Sequence, residues 1–245
     1  EERKKEKTYK LQSPQFQKIK KEWEAVLTEA DKMTGDEALI RKGRALDALT
    51  PYYYEEADHK CYLFQSKDKA EPRCFQEAVL DLNKKFGGGA FVFLGDRLLI
   101  QYTGTHYQDI LDSYPESKYR SEAALRVIRG DELIDEDPEV VFGKVTGWIE
   151  KYPKSSQMPE ALLFLARLYQ DAWFLFKTHT FVTINGSIPA EEMEGRALDY
   201  RGKGLRTFER LLKESPQSVE AKKGKKEYDL LSKGKDDGIL YGLSY

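Results

Sequence analysis

"GWIEKYPKSSQMPEALL", residues 147–163, decides how this chain reads. An amphipathic run ends at a tyrosine-proline step, a serine follows, and Glu-Ala-Leu begins a new run. The pattern returns as "DILDSYPESKYRSEAAL" at 109–125 and more faintly as "RTFERLLKESPQSVEAKKG" at 206–224. Aligning Pro115, Pro153 and Pro216 puts apolar residues at the same three offsets: Tyr107, Ile110 and Leu111, then Val145, Trp148 and Ile149, then Phe208, Leu211 and Leu212. Such spacing is one face of a helix. Each proline excludes the residue before it from the α region, so the helix is expected to stop there.

Two positions past each proline stands a serine, Ser117, Ser155 or Ser218, whose hydroxyl can accept from the free amides of a turn or a new helix start. In the second copy Pro159 suits a first helical turn, and Ala161, Leu165, Leu168 and Ala172 share one face. Ala123 and Ala161 are small enough to let neighbouring helices approach. The first two prolines lie 38 residues apart and the next two 63. An insertion of about 25 residues is therefore expected, near 181–205, where β-branched residues and an Asn-Gly step interrupt the helical texture. A weaker copy without the proline runs from Trp23 to "GDEALIRKGRAL".

These residues resemble the tetratricopeptide-like repeats of the bacterial cell envelope, found in BamD-like outer-membrane lipoproteins and YbgF-like periplasmic scaffolds, where Tyr-Pro-x-Ser and Glu-Ala-Leu recur between helices. The resemblance covers about 105–231. It implies an all-α fold, a stack of helical hairpins forming an α-α superhelix, with an irregular insertion and a less regular N-terminal helical part. It also implies a noncatalytic scaffold or adaptor that gathers other envelope proteins in the periplasm or at the outer membrane. The expected division is 1–104, a helical segment, and 105–245, the repeats.

Elsewhere, Ser13 and Pro14 mark the start of a helix with Phe16, Ile19, Trp23, Val26 and Leu27 along one face. A second helix is expected over "DEALIRKGRALDAL", stopping at Thr50-Pro51, and a third over "EPRCFQEAVLDLNKKF", closed by glycines 87–89. The passage 90–102 suits either a hairpin around Gly95-Asp96 or a helix; its place ahead of a repeat favours the helix. Triple glycine is no phosphate loop, since no Gly-Lys-Ser/Thr follows.

Forty Lys and Arg balance 42 Asp and Glu, so no net field steers the chain to nucleic acid or an anionic membrane. No apolar run reaches the roughly 18 residues of a transmembrane helix. Residue 1 is not methionine, and a removed export signal or lipid-anchored leader is the expectation. Cys61 and Cys74 allow one local disulfide, the favoured reading, against two reduced thiols or a metal site that adds His59 and a distant ligand such as His106. His59, His106 and His179 lie far apart with no catalytic motif around them, and no cofactor is expected. The surplus is aromatic: "YYY" at 52–54 and "AWFLFKTHTF" at 172–181 hold more apolar residues than one stripe buries. Trp148, Trp173, Phe174 and Phe181 are thus expected as anchors for a protein partner, unless the insertion folds over them.

Overall fold

A computed structural model describes residues 11, 13–63, 72–95, 98–128, 138–178, 188–235 and 240. Among the described residues nine helices and one two-stranded sheet follow in the order α1 (Pro14–Ala30), α2 (Gly35–Leu63), α3 (Pro72–Phe86), β1 (Phe91–Leu94), β2 (Leu99–Tyr102), α4 (Thr105–Ser113), α5 (Arg120–Val127), α6 (Pro138–Lys151), α7 (Met158–Lys177), α8 (Ala190–Glu214) and α9 (Val219–Ser232). The fold is thus all-α apart from one small hairpin. Two compact units make up the chain, 1–123 and 124–245. Residues 105–123, expected with the repeats, fall in the first of them.

At the three prolines the same turn is built three times. Tyr114, Tyr152 and Ser215 close their helices by donating N–H to the carbonyls of Ile110, Trp148 and Leu211 at 3.0, 2.9 and 2.9 Å. Ser117, Ser155 and Ser218 then donate N–H to the carbonyls of Tyr114, Tyr152 and Ser215 at 3.1, 3.0 and 3.0 Å. The serine hydroxyls accept from the amides of Tyr119, Gln157 and Ala221 at 3.1, 3.2 and 3.0 Å. Proline lacks an N–H and fixes its own φ, so each helix ends where the next residue cannot extend it, and the serine satisfies an amide of the restart. Ala38, Ala123, Ala161 and Ala221, each preceded by Glu, are buried near the start of α2, α5, α7 and α9.

In the first unit α2 is the central helix, packed by α1, α3, β2 and α4. It does not stop at Thr50-Pro51 but runs through Pro51 to Leu63. A proline inside a helix costs about 3 kcal/mol. The buried stripe Leu46, Leu49, Tyr53, Ala57 and Cys61 continues on both sides of it, and burying such side chains at roughly 1.5–3 kcal/mol each for the large ones outweighs that cost. The tyrosine run is shared among neighbours: Tyr52 meets Phe16 at 4.6 Å between ring centroids, Tyr53 meets Phe86 and Phe91 at 5.6 and 5.9 Å, and Tyr54 stacks on Phe75 at 6.2 Å.

The favoured helix over 90–102 is corrected to a hairpin. β1 and β2 pair antiparallel with Phe91 opposite Tyr102 and Phe93 opposite Ile100. Alternation explains it: Phe91 and Phe93 share a face with Ile100 and Tyr102, and that face fills the space beside Tyr53, Phe75 and Phe86. Gly87 and Gly89, with φ of +106° and +84°, end α3 and turn the chain into the strand.

In the second unit α7 is the central helix, packed by α6, α8 and α9. Covered on several sides, it buries residues all round, from Met158 to Phe176. The helix α8 resumes at Ala190, so the C-terminal part of the expected insertion is helical. Its earlier part, 181–187, lies outside the described residues.

Candidate functional site

Of the four expected anchors, two are core residues. Trp148 is 4% exposed and Trp173 3% exposed, both inside the cluster that holds Val145, Ala161, Leu168 and Phe208. The expectation that they present their rings to a partner is corrected. A helix with neighbours on several sides buries more than one stripe. Phe174 is half-buried against the same cluster, and Phe181 lies outside the described residues.

Cys61 and Cys74 are bonded to each other, with Cα atoms 5.6 Å apart. Bonded sulfurs are not thiolates, so the alternative metal site with His59 loses its two sulfur ligands. Among the described residues no group of three or more His, Cys, Asp or Glu side chains is placed to hold a metal ion. His59 lies half-buried on α2, and His179 lies outside the described residues. No described helix is long and apolar enough to cross a membrane.

Where α2 meets α4 the polar groups gather. Tyr107 is buried, its ring lies over Gly43, and its hydroxyl donates to Asp47 Oδ2 at 2.7 Å. The Tyr102 hydroxyl lies 2.8 Å from His106 Nδ1 and accepts the His106 backbone N–H at 3.1 Å. Burial holds His106 below the usual imidazole range, with Lys42 acting the same way against Asp109 and Asp31. Burial likewise pushes the Tyr102 and Tyr53 phenols up. Tyr107 with Asp47 and Tyr102 with His106 form two bonded pairs beside a tight helix contact, which accounts for them structurally, whereas the buried Tyr53 hydroxyl has no hydrogen-bond partner among the described residues.

Sequence reasoning missed the arginine-glutamate pairs. Arg44 on α2 grips Glu122 on α5 with Nε at 2.6 Å and a second bond from Nη2. Arg126 on α5 pairs with Glu160 on α7 at 2.7 Å. Arg167 on α7 holds Glu227 on α9 through two bonds of 2.9 and 2.7 Å, with both side chains largely withdrawn from solvent. Arg44 and Arg167 each stand seven residues after the Glu of a Glu-Ala pair. That offset was the available signal.

What the second unit leaves outside is a different set from the tryptophans. Val140 on α6 is 43% exposed, Leu198 on α8 67% and Val219 at the start of α9 59%. Beside Val140, Gly143 and Gly147 follow at helical spacing, and a Cβ added at either would meet nothing within 4 Å. Glycine inside an exposed helix costs about 1 kcal/mol relative to alanine, and among the described residues no packing requires it at these two positions. No family model, curated protein or solved structure matches the chain.

Proposed function

We propose that the chain is a noncatalytic interaction scaffold built of four tetratricopeptide-like helical hairpins, α1 with α2, α4 with α5, α6 with α7 and α8 with α9, with α3 and the β-hairpin inserted after the first. The observation that carries the reading is the turn repeated at Pro115, Pro153 and Pro216 with the same hydrogen bonds each time. Repeating hairpins place successive helices side by side, and the side chains they leave outward make a surface for another protein. The apolar residues Val140 and Leu198, with the bare backbone at Gly143 and Gly147, are the contact surface on this reading.

The compartment is the bacterial envelope, and the Cys61–Cys74 bond supports it, since such bonds persist where glutathione and thioredoxin do not reduce them. A photo-crosslinking residue introduced at Val140 or Leu198 in the native cell should give an adduct with an envelope protein, and one at exposed Lys154 should not. Adducts confined to cytosolic proteins would refute the location. Equal yields at all three positions would refute the surface.

A further inference from the structure

The net charge of -2 conceals an uneven distribution on α9. One side of this helix is fixed inward. A Cβ at Gly224 would come within 3.2, 3.3 and 3.3 Å of Leu163 on α7 and of Leu211 and Phe208 on α8, Glu227 is held by Arg167, and Ala221 and Leu231 are buried. On the opposite side Val219, Lys222, Lys226, Leu230 and Lys233 follow at steps of three, four, four and three residues, with Lys223 beside them. That spacing makes one straight ridge about 20 Å long. Lys222, Lys223, Lys226 and Lys233 are all exposed, Val219 is 59% exposed and Leu230 half-buried. The carboxylates of α9 do not neutralise the ridge: Glu227 points inward, Asp229 is taken by Lys225 at 2.8 Å, and Glu220 is half-buried in the first turn. Among the described residues no carboxylate pairs with any of these four lysines.

We infer that this ridge docks the second unit on an anionic phospholipid surface, with α9 lying along it. Charge complementarity carries the assignment: four cations without counterions, in line on the outer side of one helix, match a plane of phosphates, and each lysine near such a surface strengthens binding about fivefold. Val219 and Leu230 can enter the headgroup layer while the lysine heads stay at the phosphates. A protein is the poorer occupant. Lysine is depleted from protein interfaces, whose energy comes from buried aromatic and arginine anchors, and the ridge carries neither. Nucleic acid fits poorly as well, because the ridge offers no aromatic ring for a base to stack on and no arginine to read a base edge. Val140 and Leu198 lie on other helices, so their crosslinking can fail without touching this result.

Cosedimentation of the purified chain with phosphatidylcholine vesicles, with and without about 30% phosphatidylglycerol, at about 50 mM salt tests it. The chain should bind only the anionic vesicles, and about 300 mM salt should weaken binding about tenfold or more. A Lys222→Gln, Lys226→Gln, Lys233→Gln variant should bind them about 100-fold more weakly, and its helix should persist because Gln and Lys have nearly equal helix propensity. A Lys18→Gln, Lys21→Gln, Lys32→Gln variant, altered at three exposed lysines of the first unit, changes the net charge equally and should bind as the parent does. No binding to anionic vesicles, equal binding to neutral ones, a ridge variant that binds like the parent, or equal losses in the two variants would overturn the proposal. So would binding of duplex DNA or polyglutamate by the ridge in the absence of vesicle binding, which would give it to a nucleic acid or an acidic protein.

Discussion

Replacing Gly43 by alanine should destabilise the first unit, although the same change in an exposed helix stabilises. An ideal Cβ at position 43 would lie 2.5, 2.8 and 2.9 Å from three ring atoms of Tyr107. Carbon atoms rest at roughly 3.5–4.0 Å, so the ring would have to retreat by about 1 Å. It has little freedom to do so: Tyr107 is buried, its hydroxyl is tied to Asp47 at 2.7 Å, and its ring stands edge-on to Tyr102 at 6.0 Å. Overpacking of this kind costs about 1–3 kcal/mol. Displacing the ring also strains or breaks a hydrogen bond to a charged group, worth about 1.5–3 kcal/mol. Against these stands a gain of about 1 kcal/mol from removing a glycine inside a helix. The net expectation is a loss of about 1.5–5 kcal/mol. Gly143→Ala and Gly147→Ala, whose added methyl groups meet nothing, should instead gain about 0.5–1 kcal/mol each. Urea unfolding followed by far-ultraviolet circular dichroism, fitted with separate transitions for the two units, measures all three. A Gly43→Ala protein as stable as the parent would refute the close approach of α4 to α2.

Glu227→Ala should cost about 3–5 kcal/mol by removing the two carboxylate bonds of the Arg167 guanidinium in a largely dry site, and Glu227→Gln should cost less; denaturant midpoints separate them. Opening the Cys61–Cys74 bond, which spans 13 residues, should lower stability by about 3 kcal/mol, read as the difference between oxidised protein and a Cys61→Ser, Cys74→Ser double variant. His106 is buried with its pKa below the unfolded value, so the unfolded chain binds the proton more readily. Its contribution is fully present above about pH 6.5 and is lost as the pH falls below it; an NMR titration placing His106 above 6.5 would refute this.

Local rules made part of this fold readable before any coordinates. Ser13 caps α1 by accepting the Phe16 amide at 3.2 Å, with Pro14 at the first helical position, and both signals act within three residues. The proline turns are equally local, since Pro115, Pro153 and Pro216 restrict only their immediate neighbours. Pro51 shows the limit of the same rule: α1, α3 and α4 hold α2 together across it, and none of them adjoins it in the chain. Residues 91–94 are four apolar residues in a row, a pattern that fits a strand or a buried helix until Phe75 and Tyr53 are placed beside it. The burial of Trp148 and Trp173 is not legible from periodicity, which reports the faces of a helix and not how many neighbours cover them. The partners of Arg44 and Arg167 lie 78 and 60 residues away, beyond any local pattern.

The α3 and hairpin segment between α2 and α4 lengthens the loops that the first unit must close. Tyr107 must find Asp47 across 60 residues, and Ser117 must find Asp36 across 81. Each doubling of a loop adds only about 0.6 kcal/mol of closure entropy, so the finished structure tolerates the detour well. Rates respond more strongly, because contacts distant in sequence return nothing until the loop has closed. The return of α4 to α2, where the ring of Tyr107 closes over Gly43, is therefore the contact on which the folding rate of this unit is expected to depend most.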